Sequence, residues 1–61
     1  MSKTRPVQLL TIEDVAGLLQ VSTKTVRRWI DARELPAAKL GGQWRIHPDD
    51  AKHFFAERLY R

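Results

Sequence analysis

Residues 11–33 read Thr11-Ile12-Glu13-Asp14-Val15-Ala16-Gly17-Leu18-Leu19-Gln20-Val21-Ser22-Thr23-Lys24-Thr25-Val26-Arg27-Arg28-Trp29-Ile30-Asp31-Ala32-Arg33, and they spell out a helix, a turn and a second helix. Thr11 stands as an N-cap with Asp14 in capping-box position, and Leu10 is placed to staple against Val15. Ile12, Val15, Ala16 and Leu19 then recur at the spacing of one helical face, so the first helix is expected to run to about Leu19. The signal soon repeats. Ser22 can cap, Val21 can staple to Val26, and Val26, Trp29 and Ile30 continue at helical spacing. Two helices with so short a link must pack at a sharp angle. The second is expected to end near Arg33, because Pro36 cannot continue a helix and biases Leu35 toward an extended conformation.

Working outward, the periodicity changes after Pro36. Ala37 to Leu40 and Gln43 to Ile46 flank Gly41-Gly42, a pair suited to the positive φ angles of a primed turn, which predicts a short β-hairpin. Pro48 near a first turn, Asp49 and Asp50 at the positive end of a helix dipole, and the stripe Ala51, Phe54, Phe55 and Leu59 predict a third helix to about Leu59. The expected fold class is small α+β, mainly α: a winged helix-turn-helix in the order helix, turn, helix, hairpin wing, helix. With 61 residues the chain is expected to be a single domain at 1–61, and the polar stretch Met1–Gln8 reads as a loose arm. No internal repeat or low-complexity segment stands out.

Charge gives the first functional signal. Eleven Lys and Arg against seven Asp and Glu leave a net +4. Both ends of the chain cancel, so the surplus falls in Val21 to Ile46. There Lys24, Arg27, Arg28, Arg33, Lys39 and Arg45 face Asp31 and Glu34. A field of that sign favours a polyanion as partner, and on charge alone a merely solvated surface is an equal alternative. At about 100° per residue, with Val26 at 0°, Trp29, Ile30 and Arg33 share its side. Arg27 falls near 100°, Asp31 near 140°, Lys24 near 160° and Arg28 near 200°. Three cations on the open arc of a second helix suit docking in a DNA major groove.

Side-chain chemistry divides the labour. The planar fork of Arg27 or Arg28 matches guanine O6 and N7, while Lys24 is better suited to a phosphate. The Thr23 and Thr25 hydroxyls, with the backbone N–H groups of the helix start, either hold a second phosphate or only serve the start. On the wing, Lys39, Gln43 and Arg45 surround a tip whose Gly42 allows close backbone approach. Arg45 is the leading wing residue; its rival reading is a surface ion pair. Trp29, Trp44, Phe54 and Phe55 read as core, in preference to a stacking platform for single strands.

Catalysis finds no support in the residues. There is no cysteine, hence no thiolate nucleophile and no Cys-type zinc site. His47 and His53 lack metal-ligand spacing, Ser22 lacks a His and Asp constellation, and no Gly-rich phosphate loop is present. The expectation is a protein that is not an enzyme, with no cofactor and no metal. The apolar runs are too short for a membrane span or a secretory signal, so no membrane partner is expected, and the lack of cysteine fits a reducing, intracellular setting.

Leu10-Thr11-Ile12-Glu13-Asp14-Val15-Ala16, Val21 to Ile30, Glu34-Leu35-Pro36-Ala37 and Trp44-Arg45-Ile46 follow in an order that resembles the excisionase-type, MerR-like winged helix-turn-helix DNA-binding domains. The resemblance spans about Leu9 to Phe55. It implies double-stranded DNA as partner, with the second helix in the major groove and the wing on the backbone or minor groove. It implies a cytoplasmic, nucleoid-associated protein of bacterial, phage or mobile-element origin. The sequence departs from the family at three positions: Gln20 and Arg33 stand where glycine is common at a helix exit, and Asp31 stands where a basic residue is frequent. MerR-type activators add a dimerisation helix and an effector domain, for which this sequence leaves no room, so no small-molecule ligand is expected. The expectation is therefore an excisionase, binding adjacent sites cooperatively, bending DNA for recombination and steering a recombinase (integrase). A small transcription regulator at a promoter or plasmid control region is the alternative, and a protein interaction module the third.

Overall fold

The computed structural model describes residues 8–59, so the arm expected at Met1–Gln8 lies outside them except for Gln8, which is exposed. The elements are α1 (Ile12–Leu19), α2 (Thr23–Asp31), β1 (Ala38–Leu40), β2 (Gln43–Arg45) and α3 (Pro48–Leu59). This is the mainly helical, winged order expected. Both helix starts form as the sequence spells them. The Asp14 N–H donates to Thr11 Oγ1 at 3.0 Å while the Thr11 N–H donates to Asp14 Oδ2 at 2.9 Å. Ser22 Oγ accepts from the Thr25 N–H at 3.1 Å.

Helix α2 stops at Asp31, two residues short of the expected Arg33, and the reason is the backbone at Arg33 itself. Its φ is 62°, in the left-handed region. The Glu34 N–H then reaches Trp29 O at 2.9 Å and the Arg33 N–H reaches Ile30 O at 3.0 Å, the paired bonds of a Schellman exit. Helix α1 leaves in the same hand, with Gln20 at φ 57° and the Val21 N–H on Ala16 O at 3.0 Å. A side chain with Cβ costs about 1–2 kcal/mol in that conformation. Arg33→Gly is therefore expected to raise the melting temperature by about 4–8 °C, the shift that ~1 kcal/mol gives a domain of this size. Thermal unfolding followed by circular dichroism checks it, and a fall would contradict a strained left-handed exit.

The hairpin pairs Ala38 with Arg45, Lys39 with Trp44 and Leu40 with Gln43. Gly41 (φ 57°) and Gly42 (φ 82°) both take the positive values of a type I′ turn, where other residues would be strained. The strands are one residue shorter at their outer ends than expected. Ile46 turns away from Ala37 and exchanges two 2.8 Å hydrogen bonds with Leu10, which ties the wing to the start of α1. Helix α3 is capped by a side chain that the sequence does not mark for the task. His47 Nδ1 accepts from the Asp49 N–H at 3.0 Å. The Asp49 carboxylate stands 3.9 Å from the same nitrogen.

The core gathers Ile12, Val15 and Ala16 from α1, Val26 and Ile30 from α2, Leu35 from the connection, Ile46 from the end of the wing and Phe54 from α3. Trp29 and Trp44 pack against it half-buried. Phe55 corrects the expected core: it is 45% exposed, because α3 is docked through Phe54 and Ala51 and the next residue turns outward. It borders an apolar groove with Leu10, Leu18, Leu19 and Ala51. The place expected for Leu59 on the same stripe lies outside the described side chains. The rings of Phe54 and Trp29 lie 4.8 Å apart, and the Arg58 guanidinium covers both while pairing with Glu34. That pair removes Glu34 from the carboxylates available to offset the basic region.

Candidate nucleic-acid interface

Helix α2 is anchored by Val26 (fully buried) and Ile30, and its opposite arc is free: Lys24, Arg27, Arg28 and Asp31 are all exposed. Among the described residues, no carboxylate lies within 4.0 Å of Lys24, Arg27 or Arg28; the Arg ion pair present joins Arg58 to Glu34, and His53 Nε2 lies 3.3 Å from Glu57. Three cations without a carboxylate partner give this arc a positive potential.

The structure brings part of the expected site together. A cleft of about 310 Å³ is lined by Arg27 of α2, by Gly42, Gln43, Trp44 and Arg45 of the wing, and by Thr11, Ile12 and Glu13 at the start of α1. The Leu10–Ile46 bridge sets this proximity. Arg45 is half-buried and held in place: its Nη1 donates to Trp44 O at 2.9 Å and its Nη2 to Gln43 Oε1 at 2.6 Å. An arginine so fixed loses less side-chain freedom on meeting a phosphate than a mobile one. Its rival reading as one half of an ion pair finds no carboxylate partner among the described residues.

Other expected residues stand apart from the cleft. Lys24 and Arg28 are exposed on α2 and do not line the cleft. Lys39 pairs across the hairpin with Trp44, and successive residues of a strand face opposite ways, so it shares the Trp44 face and not that of Gln43 and Arg45. Its ammonium sits 5.6 Å from the Trp44 ring, a cation–π contact that occupies it. Thr25 Oγ1 lies 3.0 Å from Ser22 Oγ, which commits that hydroxyl to the helix start. Thr23 is half-buried in the first turn. Nothing in the sequence marks the three α1 residues of the cleft, because their approach depends on a bridge between residues far apart in the chain. Among the described residues no group of three or more His, Cys, Asp or Glu side chains is placed to hold a metal, and no helix is long and apolar enough to cross a membrane.

Two short helices at a fixed turn, an exposed cationic arc on the second and a glycine-tipped wing beside it define a winged helix-turn-helix module. The chain belongs to the helix-turn-helix domain family, whose pattern matches residues 9–59. It is similar to two proteins of Mycobacterium tuberculosis, "Putative DNA-binding protein Rv0500A" (strain ATCC 25618 / H37Rv) and "Putative DNA-binding protein MT0521" (strain CDC 1551 / Oshkosh). It is 43% identical to each over 53 residues, covering 87% of this chain and 67% of the relative. It is also 48% identical over 44 residues to "Uncharacterized protein YvgK" of Bacillus subtilis (strain 168), covering 72% of this chain and 14% of that protein.

Proposed function

We propose that this chain binds double-stranded DNA sequence-specifically, with α2 in the major groove and the wing against the adjacent backbone or minor groove. The observation that carries this is the convergence of exposed Arg27 with the wing residues Gly42, Gln43 and Arg45 on one cleft, beside Lys24 and Arg28 on the same arc. Arg27 and Arg28 supply forks for guanine edges, Lys24 meets a phosphate, and Arg45, held by Gln43, meets the backbone beside the wing. The Thr23 hydroxyl and the N–H groups of the α2 start suit a further phosphate. Lys39, engaged with Trp44, contributes charge more than direct contact.

A module with so few base-reading side chains discriminates modestly, since each bidentate contact contributes about 1–3 kcal/mol. Useful occupancy then requires several copies on adjacent sites. That is the behaviour of an excisionase, which bends a recombination site and sets the direction of an integrase. The relatives named as DNA-binding proteins support the duplex partner. The experiment is a hydroxyl-radical footprint on the genomic DNA that flanks this chain's coding sequence, followed by a circular-permutation gel on the protected fragment. Regularly spaced protected segments with a bend support the reading. A single protected segment on unbent DNA contradicts the excisionase role, and protection confined to a promoter would assign transcription control instead.

A further inference from the structure

Asp31 is the one carboxylate on the open arc of α2, and the fold makes no use of it. It is exposed, and among the described residues it pairs with neither Arg27, one turn before it, nor Arg28 nor Arg33. It is also the last residue of the helix, where the dipole disfavours a negative charge. Its position is nevertheless specific. Asp31 lines a cleft of about 360 Å³ at the base of the wing with Ile30, Arg33 and Trp44, while Arg27 lines the cleft at the wing tip, which Trp44 also borders. Arg27 and Asp31 thus each border a cleft that reaches Trp44 of the wing, one turn and about 6 Å apart along α2.

We propose that the Asp31 carboxylate reads a base, accepting from cytosine N4 in the major groove; this rests on the duplex binding by α2 proposed above. A carboxylate there is repelled by every phosphate, so it lowers affinity for DNA in general. It recovers that loss only where an N–H donor meets it, and cytosine N4 is the donor that Asp best matches. The rise between Arg27 and Asp31 is close to two base steps of about 3.4 Å. The expected site therefore has a cytosine about two steps from the guanine read by Arg27.

The test selects duplexes from a random pool with the wild-type chain, Asp31→Ala and Asp31→Asn, then measures affinity on the selected and on an unrelated duplex. Alanine and asparagine are tolerated at a helix end, and circular dichroism verifies the fold. The wild type should select cytosine at the predicted position. Asp31→Ala should lose that preference alone, by about tenfold, while binding unrelated duplex more tightly. Asp31→Asn should move the preference toward adenine, whose N6 and N7 match an amide. Variants that select the wild-type sequence, and gain affinity equally on both duplexes, would overturn the inference and leave duplex binding standing. A wild-type chain that selects no sequence overturns both.

Discussion

Neutralising Lys24, Arg27 and Arg28 together, each to glutamine, is expected to weaken duplex binding about a thousandfold at physiological salt. The size follows from the parts: one phosphate contact and two guanine forks, at ~1–2 kcal/mol each, sum to about 4 kcal/mol, and 1.4 kcal/mol is a factor of ten. The same variant should flatten the dependence of log affinity on log salt by about one unit for each phosphate that is no longer neutralised. Stability should barely change, because the three side chains are exposed and make no ion pair among the described residues. Lys24→Gln alone should reduce the salt slope with little change in preferred sequence, whereas Arg27→Gln should relax preference at one base pair. Filter binding or fluorescence anisotropy across a salt series measures both. Affinity within a few-fold of wild type would remove the major-groove assignment.

Phe54→Ala is expected to leave the chain largely unfolded at 25 °C. Phe54 is buried, stacks on Trp29 at 4.8 Å and is roofed by Arg58, so it joins α3 to the helix that carries the site. Truncating a buried phenylalanine costs about 3–5 kcal/mol. A single small core rarely supplies more than ~3–5 kcal/mol in all. The neighbouring Phe55→Ala provides the contrast, since a ring 45% exposed has less burial to lose and should cost less than half as much. Urea unfolding followed by tryptophan fluorescence separates the two. Equal effects would contradict the outward turn of Phe55.

What can be read from the sequence is what local chemistry determines. The capping box at Thr11, the Ser22 cap and the Gly41-Gly42 turn each depend on neighbours a few residues away, and all three form where expected. The left-handed exits at Gln20 and Arg33 are foreseeable only as departures from a glycine habit, and the structure retains the conformation with larger residues. Leu35 and Ile46, among the most buried side chains, sit in a connection and at a strand end, where no periodicity marks them. The Leu10–Ile46 bridge and the Glu34–Arg58 pair join residues distant in sequence, so no spacing announces them. For the site, the arc of α2 follows from helical geometry alone. The separation of Lys39 from Gln43 and Arg45 follows from hairpin register, which the turn fixes and which decides the face each wing residue takes. His47, whose spacing from His53 does not suit a metal, caps α3 through a nitrogen whose role no sequence pattern announces.

Helix α2 and the wing should act as a single contact surface, and an amide-resolved NMR titration with a selected duplex tests that most directly. Shifts should concentrate at Thr23–Asp31 and Gly41–Arg45, with the start of α1 following, while Leu18, Ala51 and Phe55 on the apolar groove stay in place. Perturbation centred on that groove, or none at α2 when the duplex is saturating, would contradict it.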